Sequence, residues 1–174
     1  MKENIVSIVA AMDSKNGIGK DNDLLFRIPE DFQRMQDLTA GHPLVMGRLT
    51  FASIGRKLGN GRTSIVVTRD PANLTEIPYA ADFVVPTLEQ GIEEGKKAAG
   101  GEEVVVFGGG QIFKEAIEKG LVDVLHLTVV DGDFGADTFF PDYSEFGKVL
   151  KEESGGSGEY NYKFLDLERQ DPTI

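Results

Sequence analysis

The chain has 174 residues, 40% hydrophobic and 27% charged; those proportions exclude wholesale disorder and the length fits one domain, taken as residues 1–174. It has no cysteine, which excludes disulfides, thiolate metal sites, iron–sulfur clusters and a cysteine nucleophile. A net charge of −11 repels nucleic acid and anionic membranes at long range, and no apolar run approaches the ~20 residues that span a bilayer, so a cytoplasmic protein with neither partner is expected.

Ile5 to Met12 (IVSIVAAM) is a nearly continuous apolar run. It reads as a first strand covered on both faces rather than a signal peptide, because Ser7 interrupts it and no clear cleavage site follows. Asp13 to Phe26 is a long polar stretch with Gly17 and Gly19 and no helical period, the kind of loop that often serves as a functional lid. Pro29 opens a helix, followed by Glu30 and Asp31 in the first turn and an apolar stripe of Ile28, Phe32, Met35 and Leu38, ending at Gly41. Strands follow at Pro43–Met46, Ser64–Thr68, Asp82–Val85 and Val104–Phe107. Helices are predicted over Thr50–Ile54, Leu88–Ala99 and Ile112–Lys119, and Leu58–Arg62 reads as a glycine-rich turn. After residue 120 the pattern changes to successive strands, Val124–Val130, Lys148–Ser154 and Tyr160–Glu168. The last two flank a hairpin turn predicted over Gly155–Gly158. Alternation followed by strands alone predicts an α/β fold with a mostly parallel sheet of about eight strands, an antiparallel strand at its C-terminal end, and about four flanking helices.

Three junctions at strand ends favour anion binding: Gly47-Arg48-Leu49-Thr50, Thr68-Arg69, and Gly108-Gly109-Gly110-Gln111. Ligands of open α/β sheets bind at the carboxyl ends of strands, and helix N-termini and glycines admit phosphates closely. Arginine, not an acid, ends the Ser64–Thr68 strand, which favours a 2′-phosphate and hence NADP if a dinucleotide binds. Asp31 shares a helix face with Met35 and Leu38, so its carboxylate sits beside apolar side chains, where its pKa rises and it can handle protons. Plainer readings stay open at this point, with the glycines as tight turns and Asp31 as a first-turn acid serving the helix dipole. Phe26, Phe32, Phe51 and Phe107 either line a pocket for a flat ligand or belong to the core. His42 and His126 lack metal-ligand spacing, so no metal site is expected, and His126 should meet solvent or a polar contact.

In order and spacing, Ile8-Val9-Ala10-Ala11, Gly17-Ile18-Gly19, Ile28-Pro29-Glu30-Asp31-Phe32, Met46-Gly47-Arg48-Leu49-Thr50-Phe51 with Ser53-Ile54-Gly55, Val67-Thr68-Arg69, Phe107 to Phe113 and Asp137 to Pro141 together resemble the dihydrofolate reductases, from about Val6 to Leu167. A monomer is expected because the sequence has no long exposed apolar stripe; the resemblance implies reduction of 7,8-dihydrofolate with NADPH. It makes Asp31 the acid that binds the pterin's amino group and N3, with Thr128 supporting it. It makes Val9, Ala11, Phe32, Met35, Ile54, Leu58 and Phe107 the apolar lining, and Arg62 the partner of the substrate's α-carboxylate. Ala11, Ile18, Gly19, Gly47, Arg48, Leu49, Thr50, Thr68, Arg69 and Gly108, Gly109, Gly110, Gln111, Ile112 and Phe113 fall along the cofactor. A cis peptide at Gly108-Gly109 and a mobile loop over Asp13–Phe26 are also implied. Three positions depart from the family pattern. Leu25-Phe26 replaces Pro-Trp, which keeps a ring without an N–H donor, and Phe113 replaces a tyrosine. The alternatives are a reductase of another pterin or pyrimidine, and a non-catalytic NADPH- or folate-binding module. Asp31, Thr128 and the residues around Arg48 argue against the pyrimidine reductase.

Overall fold

A computed structural model describes residues 3–77 and 79–170 of the chain. Strand β1 (Ile5–Asp13) leads to a short β2 (Gly17–Lys20) and β3 (Asp23–Leu24). Then come α1 (Pro29–Thr39), β4 (Pro43–Gly47), α2 (Arg48–Ile54), β5 (Thr63–Val67), β6 (Phe83–Val85), α3 (Leu88–Lys97), β7 (Glu103–Gly108) and α4 (Gly110–Glu118). The chain finishes with β8 (Val124–Val130), a two-residue β9 (Thr138–Phe139), β10 (Lys148–Ser157) and β11 (Tyr160–Glu168). The main sheet has the order β10-β11-β8-β1-β7-β4-β5-β6. From β8 to β6 the strands are parallel; β11 runs antiparallel to β8, and β10 antiparallel to β11. The carboxyl ends of β1, β4, β5 and β7 therefore open on one edge, as the alternation of strands and helices predicts.

Side-chain alternation divides the sheet into two faces. On one, Val6, Ile8, Val45, Ile65, Val104 and Val106 pack under Leu88 and Ile92 of α3 and Phe113, Ala116 and Ile117 of α4. On the other, Leu44, Met46, Val66 and Val105 are covered by Phe51 of α2. Helix α1 lies over β1, β8 and β11 on that second face. It starts without a side-chain cap, on Pro29, and Thr39 at its end returns its hydroxyl to Met35 O at 2.8 Å.

Two expectations change and one element is added. The stretch Asp13–Phe26 is not all loop, because β2 pairs with β3 and with the distant β9 in a small three-stranded sheet. Gly155–Ser157 is strand, not turn; β10 runs to Ser157 and the hairpin closes through Gly158 and Glu159, with Gly158 at φ +60°. A 3-10 turn at Pro71–Leu74, capped by the Asp70 carboxylate, precedes β6. Other boundaries agree to within two residues, α2 starting at Arg48 rather than Thr50.

Candidate active site

Two elements bring the acid into place. Register pairs Thr128 with Ala11 of β1 and Phe164 of β11, and its side chain rises toward α1. Thr128 is 1% exposed, and its Oγ1 donates to Asp31 Oδ1 at 2.6 Å. Burial pushes the Asp31 carboxyl above the ordinary carboxylate range; the Thr128 hydrogen bond and then the charge of Arg34 pull it part of the way back. Asp31 thus holds its proton more tightly than an ordinary carboxylate, at the place where the resemblance expects the rim of an apolar hollow.

The walls of that hollow come from several elements. Val9, Ile54, Leu58 and Phe107 are partly buried and pack on the Phe51–Met46–Val105 cluster. Phe32 and Met35 flank Asp31 along α1 and are half-buried. Phe51 itself is 2% exposed and belongs to the core, not to a pocket wall. Phe26 is buried with Ile28, Val130 and Tyr162, against Ala11 and Leu25. Its ring lies edge-on to Phe134 at 5.0 Å and to Tyr160 at 6.0 Å. It supplies shape but no polar atom.

Beside this hollow the backbone is bare. Helices α2 and α4 start at Gly47 and Gly109 without side-chain caps, so their first N–H groups are left for another acceptor. The two starts adjoin, since a Cβ at Gly47 would meet Ile112 Cγ1 at 3.4 Å. Gly108-Gly109 is a cis peptide, as the resemblance implies, and Gly108 sits at φ +124°. A Cβ at Gly109 would stand 3.3 Å from Thr50 Oγ1, and one at Gly110 2.9 Å from Thr138 Cγ2. Ile18 and Gly19 of β2 close the same corner: Ile18 Cδ1 lies 3.8 Å from that Gly110 position, and Gly19 pairs with Thr138. Phe113 is buried against Phe140, beneath Gly108. Leu49 and Gln111 are exposed.

The cations around this edge stand apart from the others. Most lysines and arginines have carboxylates within ion-pair distance, as Lys119 does with Glu89 and Glu115 and Arg34 with Asp166. Among the described residues Lys20, Arg48, Arg56, Lys57, Arg62 and Arg69 have none. Arg48 follows β4 directly and Arg69 follows β5 after Thr68, at the carboxyl ends of two parallel neighbours. Thr68, next to Arg69, accepts the Asp70 N–H at 3.2 Å and closes the turn. Arg62 is held by its own fold: Nε donates to Thr39 Oγ1 at 3.0 Å, Nη1 to Gly59 O at 3.1 Å and Nη2 to Gln36 O at 3.0 Å. Burial and then the charge of Arg56 work against its own charge. Among the described residues no cluster of acids and histidines could hold a metal ion, and no helix is long and apolar enough to cross a membrane.

A family model described as dihydrofolate reductase matches residues 5–169. The chain belongs to the dihydrofolate reductase family. It is 36% identical over 173 residues to dihydrofolate reductase type 3 of Salmonella typhimurium, covering 95% of this chain and 99% of that protein. It is 35% identical over 170 residues to the dihydrofolate reductase of Bacillus subtilis, with 95% of each covered. A solved structure of the dihydrofolate reductase from Enterococcus faecalis, complexed with NADP(H) and RAB-propyl, superimposes with a TM-score of 0.81 at 30% identity, over 97% of this chain and 98% of that one.

Three features of this family member escaped the sequence. Asp13 is 1% exposed, and its Oδ1 accepts Lys15 N and Gly17 N while Oδ2 accepts Phe134 N, which ties the β1–β2 turn to the loop after β8. Asp137 accepts Asp21 N at 2.9 Å and so fastens β2 to the segment before β9. Arg34 lies one helical turn from Asp31, a spacing that could have pointed to it; its partner Asp166, 132 residues away, could not have been guessed.

Proposed function

We propose that this chain reduces 7,8-dihydrofolate to 5,6,7,8-tetrahydrofolate with NADPH, within one domain that acts as a cytoplasmic monomer. The observation that carries the assignment is the Asp31–Thr128 pair, 2.6 Å between Oδ1 and Oγ1, with the half-buried Phe32 and Met35 beside the acid on α1.

The glycine-lined start of α4 fits a dinucleotide. Side chains at Gly109 and Gly110 would fill the space at the uncapped start of α4, and unpaired Arg48 and Arg69 lie on the same sheet edge. Gly47, Arg48, Leu49 and Thr50 would hold the cofactor's phosphates, and Thr68 and Arg69 its 2′-phosphate. Ala11, Ile18, Gly19 and Gly108 to Phe113 would lie along the rest of it. NADPH, when bound, supplies the hydride that passes from nicotinamide C4 to pterin C6.

The remaining work belongs to the side chains. Asp31 accepts hydrogen bonds from the pterin's amino group and N3, and Thr128 leaves its second oxygen free to do so. Its negative charge, in a site from which Phe26, Phe32 and Phe107 exclude water, favours a proton on N5, which water delivers. Arg62, its guanidinium fixed by Thr39, Gly59 and Gln36, takes the α-carboxylate of the substrate's glutamate. Val9, Ala11, Met35, Ile54 and Leu58 hold the ring system in contact with the cofactor face. The test is Asp31→Asn. NADPH binding should be kept while turnover of dihydrofolate falls by about a hundredfold or more, as for loss of a group acting on a proton. Normal turnover at neutral pH would overturn the assignment.

A further inference from the structure

Beneath α1 the sheet carries charges that this chemistry does not use. His126 of β8 faces the same side as Thr128, two residues on. Its Nδ1 lies 2.7 Å from Asp166 Oδ1, and its Nε2 lies 3.1 Å from Glu103 Oε1. A neutral imidazole has one N–H and one lone pair, so it would set that lone pair against a carboxylate; the imidazolium gives an N–H to each. Asp166 Oδ1 also accepts Arg34 Nη2 at 2.5 Å, while Arg34 Nη1 donates to Leu127 O at 3.2 Å. The Arg34 guanidinium stands 4.7 Å over the Phe164 ring. Side-chain exposures of 13% for His126, 16% for Arg34, 18% for Asp166 and 26% for Glu103 leave these charges weakly screened.

We propose that Arg34, seated by Asp166 and backed by the His126–Glu103 pair, is a positioning residue: the half-buried chain Glu103–His126–Asp166–Arg34 fixes α1 over the sheet and sets the positive field at Asp31, and ionisation of His126 tunes that field. Its meaning for catalysis rests on the role assigned to Asp31 above. Burial opposes the charge on His126, but the hydrogen bonds to Glu103 and Asp166 outweigh it and hold its pKa above the ordinary value. Glu103 is drawn down chiefly by its bond to His126, against its own burial, with Ser7 of β1 and the charge of His42 adding to the effect. The groove above the chain is lined by Glu30 and Asp37 of α1 and by Lys151 and Glu153 of β10, and Tyr162 of β11 lies within the field of Asp31. As pH rises through the pKa of His126 the positive charge leaves, and Asp31 sits in a less positive field. The pKa of Asp31 then rises, together with that of the pterin proton it favours.

The experiment compares the parent with His126→Gln and Glu103→Gln, neither at a residue placed in the pocket. Nitrogen-15 spectra of the ligand-free protein report the ring directly, and the chain's 2 histidines are told apart by the His126→Gln variant. The expected result is an imidazolium protonated on both nitrogens at neutral pH, whose titration moves to lower pH in Glu103→Gln. The carboxyl-carbon titration of Asp31 should move to higher pH in His126→Gln, and so should the pH profile of dihydrofolate reduction, with KM nearly unchanged. A single neutral tautomer at pH 7, or Asp31 titrations that superimpose in parent and His126→Gln, would overturn the proposal. Absence of dihydrofolate turnover in the parent would instead strike the assigned function, and the two spectra would still decide the charge chain.

Discussion

Thr128→Val removes one hydrogen bond and almost no volume. The lost bond runs from a hydroxyl on a residue 1% exposed to a carboxylate 2.6 Å away. A hydrogen bond to a charged group contributes about 1.5–3 kcal/mol, against roughly 0.5–1.5 kcal/mol for a neutral pair. Above the folded pKa of Asp31, where the carboxylate is ionised, the variant should lose about 1.5–3 kcal/mol, or about 3–12 °C in Tm at roughly 2–4 °C per kcal/mol for a chain of this size. The sign with pH follows from the Asp31 carboxyl. Its folded pKa is already raised by burial, and the Thr128 bond is what lowers it; without that bond it rises further. The stability gap between parent and variant is therefore small in acid, where Asp31 is protonated, and widens as pH rises through the folded pKa values. Urea unfolding of both proteins between pH 4 and 8, followed by circular dichroism, measures the gap. A gap of constant size across that range would show that Thr128 does not support the charged form of Asp31.

Two further outcomes follow from the same geometry. Asp31→Asn should flatten the pH dependence of stability and leave the protein at least as stable as the parent at pH 7. An acid whose folded pKa lies above its unfolded one contributes stability below the unfolded pKa and loses it as pH rises through the folded pKa; urea midpoints against pH decide this, and a uniform loss at every pH would contradict it. Arg69→Gln should raise the KM for NADPH by about tenfold and leave that for NADH nearly unchanged, as for loss of one charge-assisted bond to a phosphate; steady-state kinetics with both cofactors tests it, and equal effects on the two would remove Arg69 from the 2′-phosphate.

What the sequence disclosed is what short-range physics controls. The run Ile5–Met12 reads as β1 because its side chains alternate between two covered faces, and all of Val6, Ile8 and Met12 are buried on one of them. Asp31 was visible because helical spacing sets it beside Met35, and the structure supplies the reason for its place in Thr128. The glycines before α4 read as a turn opening a helix, and the structure shows that helix starting at Gly109 without a side-chain cap. Long-range pairing hid the rest. Strands β2, β3 and β9 are too short for any period and exist through pairing and the Asp137–Asp21 bond. Gly155 reads as turn, yet the Tyr162 ring packs so close that a Cβ there would lie 2.7 Å from it, so the glycine makes room for a cross-strand aromatic. His126, expected to meet solvent or a polar contact, is mostly buried between two acids 23 and 40 residues away in the chain.

The most direct test of the assigned function is absorbance at 340 nm with NADPH and dihydrofolate, with methotrexate added midway. Oxidation that begins only when dihydrofolate is present and stops with the inhibitor is the expected result, and it would show that Phe26 serves where an indole is usual. Both ligands bound by calorimetry with no loss of absorbance would contradict it and make the chain a binding protein or a reductase of another pterin.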